Sequence, residues 1–155
     1  MSDPTSPPDA PATIRAIVAG HSDFADGLVS AVHAITGRGD VYRTISARNL
    51  SGAELEETLR RAIDETGAQV VFTDLQAGSC TMAARRVSRD RDDVLFVCGA
   101  NLPMLLDFAL AADTTPLEAA RHAIERGRAA ITSVGGGDAG APGAPGAPGG
   151  PGGRS

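Results

Sequence analysis

The chain has 155 residues, a formal net charge of −5 and 14 basic residues, every one an arginine, with no Trp, one Tyr and four Phe. That balance excludes the basic footprint and stacking platforms of a nucleic-acid binder, and the absence of lysine excludes a Walker-type phosphate loop and Schiff-base chemistry. No apolar run nears the ~20 residues of a membrane span, the N-terminus lacks a signal peptide's basic start and apolar core, and Cys80 and Cys98 give no disulfide framework, so a cytoplasmic protein is expected.

Residues 1–12 are proline-rich with little apolar mass, and residues 135–155 are almost wholly Gly, Ala and Pro. Neither segment carries enough apolar surface to offset its ordering entropy, so both are expected to be disordered. One domain is expected over residues 13–134, long enough for a single well-buried core.

Within it, Thr13-Ile14-Arg15-Ala16-Ile17-Val18-Ala19 reads as a buried strand closed by Gly20. Phe24, Leu28, Ala31, Val32 and Ile35 then recur at helical spacing, and the helix stops at Gly37-Arg38-Gly39-Asp40. Val41-Tyr42-Arg43-Thr44-Ile45 reads as a second strand. Ser51-Gly52-Ala53-Glu54 is a capping box opening a helix whose apolar face is Leu55, Leu59, Ala62 and Ile63. Val70-Val71-Phe72-Thr73 is a third strand, which delivers Asp74. The small-residue turn Leu75-Gln76-Ala77-Gly78-Ser79-Cys80 leads into a third helix over about residues 81–89. Val94-Leu95-Phe96-Val97-Cys98 is a fourth strand, and Asn101 caps a fourth helix with Pro103 in its first turn. Thr115-Pro116-Leu117-Glu118 is a second capping box, opening a fifth helix to about residue 128. Residues 130–134 read as a short final strand.

Strands alternating with helices predict an α/β fold: a three-layer, doubly wound sheet with four parallel strands. The carboxyl ends of strands one, three and four then bring His21, Asp74 to Ser79, and Asn101 to one edge of the sheet, where such folds place ligands. A carboxylate that accepts one imidazole N–H fixes the tautomer and leaves the other nitrogen as base, nucleophile or metal ligand. Beside a helix start free to hold an anion, that pairing suggests phosphoryl transfer with His21 as nucleophile. Spacing alone does not force this, and Asp74 and Ser79 read equally as helix caps.

Val18-Ala19-Gly20-His21-Ser22-Asp23-Phe24-Ala25-Asp26-Gly27-Leu28 resembles the phosphorylation segment of mannose-family IIA proteins of the bacterial phosphoenolpyruvate-dependent sugar phosphotransferase system. Val71-Phe72-Thr73-Asp74-Leu75-Gln76-Ala77-Gly78-Ser79 is similar to that family's strand-three signature, and Gly99-Ala100-Asn101-Leu102-Pro103-Met104-Leu105 to its third segment. The resemblance runs over roughly residues 14–134. It implies that His21 carries the phosphoryl group, that Asp74 orients it, and that Gly78 and Ser79 hold the phosphate. It implies the histidine phosphocarrier HPr as donor and a IIB domain as acceptor, with a membrane transporter engaged only indirectly. It further implies a homodimer exchanging the terminal strand, residues 131–134, antiparallel to the sheet, and a transfer needing neither metal nor cofactor.

Ala77 replaces the family's first turn glycine and Cys80 replaces its usual proline. Alanine tolerates positive φ poorly, so the turn is expected to differ from the family's or to be strained. Three alternatives stand beside the carrier reading: a regulatory IIA-like domain, the phosphotransfer subunit of a dihydroxyacetone kinase, and a small-anion-binding module without chemistry. His33 and His122 are expected on the solvated surface, Cys80 as a small packing residue, Cys98 in the core, and Arg85, Arg86, Arg89 and Arg91 on a solvated helix face.

Overall fold

A strand buried on both faces has to sit inside a sheet that is covered on both sides, and β1 (Ala16–Gly20) is buried along its whole length. In the computed structural model, which describes residues 12–137, β1 pairs in parallel with β2 (Tyr42–Ser46) on one side and β3 (Val70–Thr73) on the other. Strand β4 (Leu95–Cys98) adds beyond β3, giving the order β2-β1-β3-β4. The two end segments expected to be disordered lie outside the described residues, apart from residues 12 and 135–137.

Alternate side chains of the strands separate into two cores, as the period of two requires. Val18, Phe72 and Val97 face a layer made by α1 (Phe24–Thr36), α4 (Leu102–Leu110) and α5 (Pro116–Ala129). Ile17, Ala19 and Val71 face α2 (Gly52–Thr66) and α3 (Ser79–Val87). Five helices and four parallel strands thus make the expected three-layer α/β fold.

Local chemistry sets the helix limits. Ser51 Oγ accepts the Glu54 amide at 3.2 Å while the Glu54 carboxylate accepts the Ser51 amide at 2.7 Å, a reciprocal cap that satisfies two orphan donors. Thr115 and Glu118 repeat it at α5, with Pro116 in the first helical position. Helix α1 ends at Gly37, whose φ of 72° only glycine adopts without cost.

Three expectations change. Ile35 is 62 % exposed; the face of α1 that packs on the core runs through Ala25, Leu28, Val29 and Val32, and Ile35 lies outside it in the last turn. Cys98 is exposed, not core, because β4 is the sheet edge and Cys98 is its last residue. Residues 130–134 pair with no strand among the described residues, and Ile131 and Val134 are 78 % and 98 % exposed.

An aromatic trio fixes the α1/α4 layer to the sheet. Phe72 and Phe108 meet edge to face at 5.3 Å between centroids, with Tyr42 5.7 Å from Phe108. The buried Tyr42 hydroxyl donates to the Leu105 carbonyl at 2.5 Å, so its polar tip is satisfied. Because Phe72 is fully buried in the strand that carries Asp74, Phe72→Ala is expected to cost ~3–5 kcal/mol in urea unfolding, the range for losing a buried aromatic.

Candidate functional site

In an open parallel sheet the crevice forms where the chain leaves adjacent strands in opposite directions. With the order β2-β1-β3-β4, the chain crosses from β1 outward to β2, and β3 returns on the other side of β1. The crevice therefore opens between the carboxyl ends of β1 and β3. Ala19 pairs with Thr73, so His21 and Asp74 emerge side by side, as expected from sequence.

Asp74 grips His21 twice. Its Oδ2 accepts the His21 backbone amide at 2.8 Å and lies 2.6 Å from the ring Nδ1. Its Oδ1 accepts the Leu75 amide at 2.9 Å. Burial of this carboxyl pushes its pKa up, but the His21 amide, the His21 ring and the Leu75 amide outweigh that and hold it below the ordinary value. An ionised Asp74 only accepts, so Nδ1 carries a proton in this contact and Nε2 is the ring nitrogen left free of the carboxylate. The aspartate side chain is 7 % exposed and the histidine side chain 51 %. The carboxylate is hidden and the imidazole is in reach.

Across from Nε2 lies Ser79, its Oγ 3.4 Å away. Gly78 is the N-cap of α3 and offers no side-chain cap, and the first turn holds no acidic residue. The start of α3 thus keeps free amides and a favourable dipole for an anion. Glycine at 78 keeps space for the ring, since a Cβ there would stand 2.9 Å from His21 Cε1. The Ala77 substitution carries no backbone strain: among the described residues only Ser22 and Asn49 are non-glycines at positive φ. The turn runs from Leu75 to Gly78 with no residue at positive φ.

That path is braced by two residues that sequence reasoning passed over. Thr73 and Thr81 are fully buried with their hydroxyls 2.7 Å apart, and Thr81 Oγ1 donates to the Leu75 carbonyl. They tie the end of β3 to the first turn of α3 and so hold Asp74 and Ser79 in one rigid unit. Two β-branched polar residues flanking a small-residue turn were the available signal. Cys80 packs in the α2/α3 core, where burial, followed by the charge of Asp74, pushes its thiol up to about 11. It is a packing residue, inert as a nucleophile at neutral pH.

Other candidates stay apart from the site. Asn101 Oδ1 caps α4 through the Met104 amide, and its Nδ2 donates to the Gly127 carbonyl, both at 3.0 Å. His33 is exposed on α1. His122 is exposed on α5 and pairs with Asp107 at 2.7 Å. Arg85, Arg86 and Arg89 are exposed, while Arg91 is bound to Asp64 and Asp93. Among the described residues no group of three His, Cys, Asp or Glu side chains could hold a metal ion, and no helix is long and apolar enough to cross a membrane.

A doubly wound sheet with a carboxylate-bound, half-exposed imidazole at its switch point places this chain among histidine-bearing α/β proteins. The chain belongs to the family described as PTS system fructose IIA component, whose model matches residues 15–125, and it is thus a component of phosphoryl transfer in sugar uptake. Among solved structures it is similar to the phosphotransferase system component EIIA from Streptococcus agalactiae, with 22 % identity, a TM-score of 0.69, and coverage of 77 % of this chain and 95 % of that one. It is also similar to the mannose/sorbose-specific IIA subunit from Enterococcus faecalis, at 18 % identity and a TM-score of 0.67 over 80 % of this chain and 96 % of that one. A PTS IIA protein associated with the fucose utilization operon of Streptococcus pneumoniae matches at 25 % identity and a TM-score of 0.67, over 77 % of this chain and 91 % of that one. No curated protein matches the chain significantly.

The depressed Asp74 pKa makes a stability prediction. A group whose folded value lies below its unfolded one stabilises above the unfolded value, ~4 for Asp, and loses that contribution as pH falls through the folded value. The stability difference between the wild type and Asp74→Asn is expected to be constant above about pH 5 and to shift steadily against the wild type toward pH 2, read from urea midpoints at each pH.

Proposed function

We propose that His21 accepts a phosphoryl group from phosphorylated HPr on Nε2 and passes it to a IIB domain or protein for sugar uptake. The observation that carries this is the 2.6 Å contact between Nδ1 and the buried Asp74 carboxylate. It ties up Nδ1 and leaves Nε2 as the ring nitrogen free of the carboxylate.

In the transfer, the Nε2 lone pair attacks phosphorus in line while the donor's P–N bond breaks and its imidazole leaves with the electron pair. The Nδ1 proton stays against Asp74, which stabilises the positive character that phosphorylation places on the ring. Passage to IIB is the same displacement with His21 as leaving group. Ser79 Oγ, the space kept by Gly78, and the uncapped start of α3 supply the phosphate cradle. Exposed Leu75 and Met82, 52 % and 47 % accessible, flank the site on the β3–α3 segment. Apolar rims of this kind suit a protein donor better than a small one. The transfer uses no metal or nucleotide, and the protein works in the cytoplasm, reaching the membrane transporter only through IIB.

Incubation with phosphoenolpyruvate and the general phosphotransfer proteins is expected to place acid-labile, base-stable phosphate on the wild type and none on His21→Ala; equal labelling of the variant would refute the assignment. Asp74→Asn, folded by circular dichroism, is expected to slow labelling by about tenfold to a hundredfold, the scale for losing a carboxylate that orients a functional imidazole.

The same reading makes the protein a homodimer in which residues 131–134 add antiparallel to the partner's β4. Its support is the open β4 edge and the exposure of Ile131 and Val134. Sedimentation equilibrium should give a dimer for the full chain and a monomer for a chain ending at residue 130.

A further inference from the structure

Asp74 holds the His21 turn from the β3 side only. On the opposite side β2 lies against β1, and the loop after β2 reaches over the same turn. Ser22, directly after His21, sits at φ 49°, one of two non-glycine residues at positive φ among those described. A residue with a Cβ holds that conformation only when its surroundings over-determine it.

Three contacts from the β2 loop do so. Ser46 Oγ donates to the Ser22 carbonyl at 2.8 Å. Arg48 Nη2 donates to the Ser22 hydroxyl at 2.6 Å and to Asp23 Oδ1 at 3.0 Å. The Arg48 amide in turn donates to Ser46 Oγ at 3.2 Å, and the Ala47 amide to the Gly20 carbonyl at 2.9 Å. The loop therefore hydrogen-bonds to the residues on both sides of His21. Left-handed Ser22 lets the chain reverse so that the Phe24 amide donates back to the His21 carbonyl at 3.0 Å. On the far side of this turn the His21 amide and ring both meet Asp74 Oδ2. The Asp23 pair, with Asp23 88 % exposed, contributes little by itself. The contact to Ser22 is the one that matters.

We infer that Arg48 is a positioning residue for His21: its guanidinium locks Ser22 in the left-handed conformation and so keeps the imidazole in register with Asp74. This rests on His21 being the phosphoryl acceptor, but the mechanical claim can be read without any transfer. Arg48 is more than half exposed, so Arg48→Met keeps the stem and removes only the donors.

Two readouts decide it. In the unphosphorylated protein, Arg48→Met should speed hydrogen exchange of the His21 amide by about tenfold, the scale of one hydrogen bond to a charged group, while the interior amides of α1 stay unchanged. In a Ser22→Gly background, where the left-handed conformation needs no enforcement, Arg48→Met should change that exchange by less than about twofold. With phosphorylated HPr varied from below to above KM, Arg48→Met should lower kcat by about tenfold at unchanged KM, and Arg48→Lys should restore part of it. Wild-type exchange at His21 in Arg48→Met overturns the inference. So does equal acceleration throughout α1, or a loss confined to KM, which would make Arg48 a docking residue. Should the wild type take up no phosphate, the phosphocarrier reading falls alone, and the exchange data still uphold or overturn the clamp.

Discussion

Everything at this site depends on one carboxylate oxygen. Asp74 Oδ2 is shared between the backbone amide and the ring of a single residue, His21, which fixes the turn and the tautomer with the same atom. Such a bond needs an ionised, nearly buried aspartate. The Leu75 amide and the two His21 donors supply the stabilisation that burial removes. It also needs the ends of β1 and β3 to be neighbours, so the strand order is a condition of the chemistry. The glycine at 78 follows from the same geometry, because the ring so held leaves no room for a methyl group beside Cε1.

The scaffold gives that bond two independent supports. β1 and β3 contribute Val18 and Phe72 to one core and Ile17, Ala19 and Val71 to the other. Shifting either strand by one residue would exchange every inward side chain with its neighbour. The register that sets His21 beside Asp74 is thereby protected by both cores. Below the site, the buried Thr73–Thr81 pair joins strand to helix.

Much of this was legible in the chain. Both capping boxes formed, β3 fell on Val70–Thr73, and His21 and Asp74 met at the sheet edge. These features are local, or follow from handed crossovers between neighbouring elements. What escaped is non-local. Which strand lies at the edge decides whether Cys98 is core or surface, and no periodicity within Val94-Leu95-Phe96-Val97-Cys98 encodes that. The sequence points to strain at Ala77, whereas the left-handed non-glycine residues among those described are Ser22 and Asn49, since a backbone angle depends on the loop packed above it. Residues 130–134 carry strand-forming side chains, but a strand also needs a neighbour. The α3 boundary came two residues early, at Ser79, because the uncapped Gly78 starts the helix without a side-chain signal.

The unequal burial of the two cysteines has a practical consequence. Cys80, beside the histidine turn, is sealed in the core as a neutral thiol, while Cys98 stands in solvent at the end of β4. The chain holds no other cysteine, so a maleimide dye applied to the native protein has one attachment point. It stands at the sheet edge that also carries His21, leaving the Asp74 and Ser79 contacts untouched. The wild-type sequence already contains an optical probe position for watching partners arrive.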